Sequence, residues 1–283
     1  PLLLTHANSE LPQIFASLRE LLRTGDIAQR SIHFLDLLHL PRTSSENYNR
    51  LRIGQLAAWL ESLGGEKITA ETWRKSIRES EDIQRLLHSA MAFRNAESPG
   101  LTGAEYLAMV QVAHILPPSE CVRILIDALH QAENRKTATG TRIYLAGAPQ
   151  FDTLNYQRLT EAGYQIVGDY QDCGDLLVTG EAAGEITGEI ADTDWISWLA
   201  KPKRRSPRML VSAAQRSAEI LRGAQHAAAD LVLYLVDPED EASAWDAQQI
   251  CESLGKEGMD SAIWNTSTRL PDNTELFRKP SYP

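Results

Sequence analysis

Cysteine is scarce in this chain: Cys121, Cys173 and Cys251 are the only three in 283 residues. An odd count at wide spacing makes no disulfide framework. Long apolar runs are missing too. With no stretch of 18 apolar residues, no membrane-spanning helix is expected. Positive charge is in deficit, with 28 Lys and Arg against 38 Asp and Glu and a net charge of −10. Nucleic-acid binders normally carry a basic surplus, so that class is set aside. The opening Pro1-Leu2-Leu3-Leu4-Thr5 has no basic region and too short an apolar core for a signal peptide, so the cytoplasm is the expected location. There is no GxxxxGK loop and no HExxH, and Gly147-Ala148-Pro149 is too short for a dinucleotide fingerprint.

What is present is enough apolar residue, 43%, for a packed core. Leu2 to Leu4 reads as a short strand. Residues 10–23 carry Leu11, Ile14, Leu18 and Leu22 at helical spacing, and Ile32–Leu35 reads as the next strand. Residues 41–133 are helical in pattern. Thr43-Ser44-Ser45-Glu46 and Thr102-Gly103-Ala104-Glu105 have the form of capping boxes. Leu56, Leu60 and Leu63 are expected on one face of the helix that Gly64-Gly65 stops. Further helices are expected over 70–79, 83–94, 102–115 and 119–133, with a break at Pro117-Pro118. After a polar linker at 134–140, strands alternate with helices: strands over 142–145, 165–167, Leu231–Val236 and 262–264, helices over 152–162, 213–229 and 242–254. That alternation implies a parallel sheet covered on both faces. Leu231–Val236, apolar throughout, is its expected central strand. Residues 181–207 read as irregular and the tail after Thr266 as loosely held.

Open parallel sheets bind ligands outside the carboxyl ends of their strands. Here those ends carry His6 and Asn8, then Gly147, then Asp172 and Cys173, then Asp237. Each has a plainer reading beside the functional one. A lone histidine is usually satisfied structurally, Asp172 and Asp175 suit turn capping, and the acidic run from Asp237 to Glu241 suits a solvated loop. Cys121 shares a helical face with Leu125 and Leu129, and Cys251 one with Ala247 and Leu254, as buried structural thiols do. Cys173, in a strand-end loop, is the one thiol on the ligand side. The basic cluster of Lys201, Lys203, Arg204 and Arg205 suits either a solvated loop or the phosphates of a coenzyme.

An ordered set of segments carries a family resemblance: THANSELPQIF, HFLDLLHLPRT, LAAWLESLGGEKITAETWRKSI, SPGLTGAEYLAM, RIYLAGAP, GYQIVGDYQDCGD and the stretch from SPRMLVSAAQRSAEIL to ADLVLYLVDPEDEASAWDAQQI. Together, over roughly residues 1–260, they resemble a D-component-like subunit of the 2-hydroxyacyl-CoA dehydratase / benzoyl-CoA reductase family. The resemblance implies an α/β fold with two Rossmann-like lobes on parallel sheets: an abbreviated first lobe over 1–40, a helical segment over 41–140, a second lobe over 141–270, and a tail over 271–283. It implies a two-subunit complex, [4Fe–4S] clusters, an ATP-dependent activator and acyl-CoA chemistry. If active, the enzyme would be an (R)-2-hydroxyacyl-CoA dehydratase, a hydro-lyase, or an aryl-CoA reductase.

The cluster cysteines that the resemblance implies are not matched. Asn8-Ser9 stands where the family has Cys-Asp, Asp237-Pro238 follows the late apolar strand in place of a cysteine, and the family's N-terminal cysteine segment has no counterpart. A cluster needs about three or four converging thiolates. The expectation is therefore a subunit without its own cluster, paired with a cluster-bearing homologue and supplying architecture or part of an acyl-CoA pocket. Two alternatives stay open: an active subunit whose cluster a partner completes, using Cys173, and a stand-alone small-molecule binding protein.

Overall fold

The computed structural model describes residues 1–6, 10–40, 42–137, 139–178, 195–200, 211–238 and 240–268. Its elements, in chain order, are β1 (Leu2–Thr5), α1 (Glu10–Thr24), β2 (Ile32–Leu35), α2 (Thr43–Ser62), α3 (Ala70–Asn95), α4 (Gly103–Ile115), α5 (Pro118–Glu133), β3 (Thr141–Gly147), α6 (Leu154–Glu161), β4 (Tyr164–Asp169), α7 (Asp175–Val178), α8 (Trp195–Ala200), α9 (Ala213–His226), β5 (Leu231–Val236), α10 (Glu241–Lys256) and β6 (Ser261–Asn265). They form two units, and the division falls inside α3, between Ile77 and Arg78. Both contain parallel sheets, so the chain is mixed α/β.

In the first unit β1 and β2 pair in parallel, Leu2 opposite Ile32 and Thr5 opposite Leu35. The side chains of α2 that go inside are Ser45, Asn49, Ile53 and Ala57, an i, i+4 row. This corrects the sequence expectation, because Leu60 and Leu63 are exposed. Hydrogen bonding decides the outcome. The Asn49 side chain accepts from Leu38 N at 2.8 Å and donates to Leu38 O at 2.9 Å and Ala200 O at 3.1 Å. A buried amide with several partners turns its own helix face inward. The box expected at Thr43-Ser44-Ser45-Glu46 is likewise not made: Arg42 is the N-cap and no side chain caps the helix. Trp73 and Trp195 meet at 5.4 Å.

The second unit holds a four-stranded sheet in the order β4-β3-β5-β6, every pair parallel. Leu231–Val236 is interior to it, as its composition implied. Period-two alternation gives the sheet two apolar faces. Ile143, Leu145, Leu231, Leu233 and Leu235 pack against Leu107 of α4 and Tyr156 and Leu159 of α6. Tyr144, Ala146, Val232 and Tyr234 pack against Ile220 and Ala224 of α9 and Ala247, Ile250 and Leu254 of α10. Each fully buried Leu, Ile or Val contributes about 1.5–3 kcal/mol. Gly103 lets α4 lie close on the sheet, since a Cβ there would sit 2.7 Å from the Ile166 Cβ.

A third apolar cluster joins α3, α4 and α5 through Leu87, Ala90, Tyr106, Met109, Cys121 and Leu125. The two helices expected over 70–79 and 83–94 are one, α3. The intervening Ser80-Glu81-Asp82 carries no Gly or Pro, and Ile83, Leu87 and Ala90 continue a single buried stripe. Within 181–207, read as irregular, residues 195–200 form α8, and the remainder lies outside the described residues. Residues 269–283 also lie outside them.

Candidate functional site

The strand order of the second unit reverses between β3 and β5, and ligands of doubly wound sheets bind at such a point. Gly147 ends β3 there with φ +94, and a Cβ on it would stand 2.1 Å from Leu235 O. Only glycine tolerates both the conformation and the approach. The next residue's amide, Ala148 N, donates to Leu235 O at 2.8 Å, and Thr266 N donates to Val236 O at 2.9 Å. Asp237, just past β5, is half-buried.

Beside this point β4 ends in a buried polar cluster. Asp169 is fully buried and accepts from Arg94 Nη1 at 3.3 Å and the Tyr156 hydroxyl at 3.2 Å. Arg94, 1% exposed, also donates to both oxygens of Asp175, at 3.0 and 2.8 Å. The two aspartates are laced through the backbone. Asp169 N donates to Asp175 Oδ2 at 3.0 Å, and Asp175 N to Asp169 Oδ1 at 2.8 Å. The guanidinium carbon lies 4.0 Å from the centroid of the Tyr106 ring.

Burial would lower the basicity of Arg94, but the charges of Asp175 and Asp169 outweigh it and raise it. Burial, then the charge of Asp175, pushes Asp169 up to about 7 against the pull of Arg94. Burial also raises the phenols of Tyr106 and Tyr156, which stay neutral. Two carboxylates share one cation, so Asp169 holds its proton more tightly than an exposed carboxylate does.

The cluster anchors the loop after β4. Gly174 N donates to Gln171 O at 3.1 Å, and a Cβ on Gly174 would lie 2.2 Å from Asp169 Oδ1. The loop wraps the carboxylate closely for that reason. Gln171 is fully buried, and neither atom of its amide has a partner among the described residues. Asp172 is exposed and Cys173 half-buried in this loop.

The structure thus brings Gly147, Asp172, Cys173 and Asp237 to the carboxyl ends of one sheet. His6 directly follows β1 of the first unit, exposed, its amide donating to Leu35 O at 3.1 Å. Asn8 and the basic cluster 201–205 lie outside the described residues. Cys121 is fully buried among the helices, and Cys251 is on the apolar face of α10 with Ile250 and Leu254. Burial pushes both thiols up, against the thiolate. Among the described residues no group of three His, Cys, Asp or Glu side chains is placed to hold a metal ion.

Arg94 and Asp175 were not picked out from the sequence as a pair. The signal was there: Arg94 falls four residues after Ala90 and seven after Leu87, a charge on an apolar stripe that needs a buried partner.

The family model for the 2-hydroxyglutaryl-CoA dehydratase D-component matches residues 18–275. The chain belongs to this D-component family. The match covers both units, including the loop with Cys173 and the strand that Asp237 follows. No curated protein matches the chain significantly. Among the described residues of this D-component-type chain, no helix is long and apolar enough to cross a membrane.

Proposed function

We propose that this chain is a D-component-type subunit of a 2-hydroxyacyl-CoA dehydratase or benzoyl-CoA reductase-like complex, that it holds no [4Fe–4S] cluster by itself, and that it contributes architecture or part of an acyl-CoA pocket. The observation that carries this reading is the scatter of its three thiols. Cys121 belongs to the helical cluster, Cys251 to the apolar face of α10, and Cys173 alone to the loop at the sheet's carboxyl edge. Cluster sulfurs must converge on one point, and a carboxylate such as Asp237 is a poor substitute for a thiolate on iron. The donors present do not fit a cluster within the chain.

The partner on this reading is a related, cluster-bearing subunit, served by an ATP-dependent activator. A second reading is favoured by the placement of Cys173: the loop offers one thiol to a cluster that a partner completes. Anaerobic reconstitution with iron and sulfide, followed by iron counting, tests the first reading. Substoichiometric iron that Cys173→Ala leaves unchanged supports it. About four irons per chain, the content of one [4Fe–4S] cluster, lost on Cys173→Ala, would overturn it. Iron in the purified two-subunit complex that depends on Cys173 would establish the second.

A further inference from the structure

The loop after β4 is fastened at both ends by groups from elsewhere in the second unit. At its start Tyr170 N donates to Leu145 O of β3 at 2.7 Å, and the Tyr170 hydroxyl donates to Glu219 Oε2 of α9 at 2.6 Å. At its end the Asp175 carboxylate accepts from Arg94 Nη2 of α3 at 3.0 and 2.8 Å, while Asp175 N donates to Asp169 Oδ1 at 2.8 Å. None of these bonds uses a side chain of residues 171–174, so the anchors hold whatever those four residues do.

The tip between the anchors is not settled in the same way. Gln171 is 0% exposed, and neither its amide nitrogen nor its amide oxygen has a hydrogen-bond partner among the described residues. A side-chain amide carries two N–H donors and a carbonyl acceptor. Leaving all of them buried and empty costs free energy that contact with water would return. The next residue, Asp172, is already exposed, and Cys173 is half-buried. Gly174 closes the tip with its amide on Gln171 O at 3.1 Å, and a Cβ there would lie 2.2 Å from Asp169 Oδ1. The one position pressed against the buried carboxylate is thus also the residue whose backbone turns most freely.

We propose that residues 171–174 form a strap with two positions on fixed anchors. In the tucked position, the one described above, the Gln171 amide is buried and empty. In the open position it turns out to water at the carboxyl edge of the sheet, and Cys173 becomes fully accessible. Ligands of open parallel sheets bind at that edge, so the strap gates it: opening presents an amide and a thiol that the tucked position withholds. Segments of this kind belong to the least stable parts of a fold. The device is a property of this chain alone and stands whichever subunit carries a cluster.

Alkylation of Cys173 in the native full chain, followed by peptide mass mapping, reads the open position. Its rate is expected to lie well below that of the urea-unfolded chain and to stay flat through low urea, because a local opening exposes little new surface. Gln171→Met keeps an unbranched side chain and removes the empty amide. It should slow Cys173 alkylation by at least about tenfold. The thiol pKa, read from the pH dependence of the rate, should stay the same, so that the slowing reports access rather than acidity. Four results would each overturn the proposal: a wild-type rate equal to that of the unfolded chain, a rate that climbs with urea along the global unfolding slope, Gln171→Met alkylated as fast as the wild type, or slowing explained by a raised thiol pKa. If Gln171→Met does not fold, the urea dependence of the wild type decides by itself.

Discussion

Arg94 Nη2 lies 2.8 Å from Asp175 Oδ2 while Nη1 of the same guanidinium lies 3.3 Å from Asp169 Oδ2, so one helical cation ties together both ends of the loop that carries Cys173. Removing it strands two buried carboxylates. Arg94→Met is expected to destabilise the chain by about 3–5 kcal/mol, measured by urea denaturation. A change below about 1 kcal/mol would show that solvent reaches the pair.

The same cluster sets a pH dependence. The Asp169 pKa is raised by folding, from an ordinary 3.8 to about 7, so the folded state binds its proton more tightly than the unfolded state. Its contribution is fully present below about pH 3.8 and is lost as the pH rises through about 7. Asp169→Asn cannot ionise. The stability of the wild type minus that of Asp169→Asn is therefore expected to fall between pH 5 and pH 7 and then level off. Urea titrations of the two proteins side by side check this. A difference that rises with pH would show that Arg94 dominates and that Asp169 stays ionised.

The two sequence capping boxes separate in the structure and should separate in stability. The Thr102 hydroxyl accepts from Glu105 N at 3.2 Å, and Glu105 accepts from Thr102 N at 2.8 Å. Thr102→Ala should lose about 1 kcal/mol. Thr43→Ala, at a helix start with no side-chain cap, should change stability by less than about 0.5 kcal/mol. Thermal melts of the pair decide the matter.

Gly147→Ala meets both a positive φ and the Leu235 carbonyl. A loss of at least about 2 kcal/mol is expected, with the disturbance centred where β3 meets β5. Hydrogen exchange at Ala148 N, whose acceptor is Leu235 O, should speed up first.

Thiol accessibility orders the cysteines. Cys173 is half-buried, Cys251 is 7% exposed and Cys121 is 0% exposed. Brief treatment of the native chain with iodoacetamide and peptide mass mapping should find Cys173 modified first. Prior modification of Cys121 would place the helical cluster among the loosest parts of the fold.

The elements with strong local signals were legible without coordinates. The all-apolar Leu231–Val236 had to be a strand covered on both faces, the Cys121-Leu125-Leu129 row had to point inward, and Pro117-Pro118 had to separate two helices. The carboxyl-end placement of Gly147, Cys173 and Asp237 followed from strand polarity alone. What the sequence could not decide were outcomes governed by a partner distant along the chain. The buried face of α2 is chosen by Asn49 reaching Leu38 and Ala200, against the pull of its leucines. The site cluster depends on Arg94 lying 75 residues from Asp169. Periodicity reports which side of an element is apolar. Which polar groups close on one another depends on how the elements pack, and here packing brought a helical arginine to the end of β4.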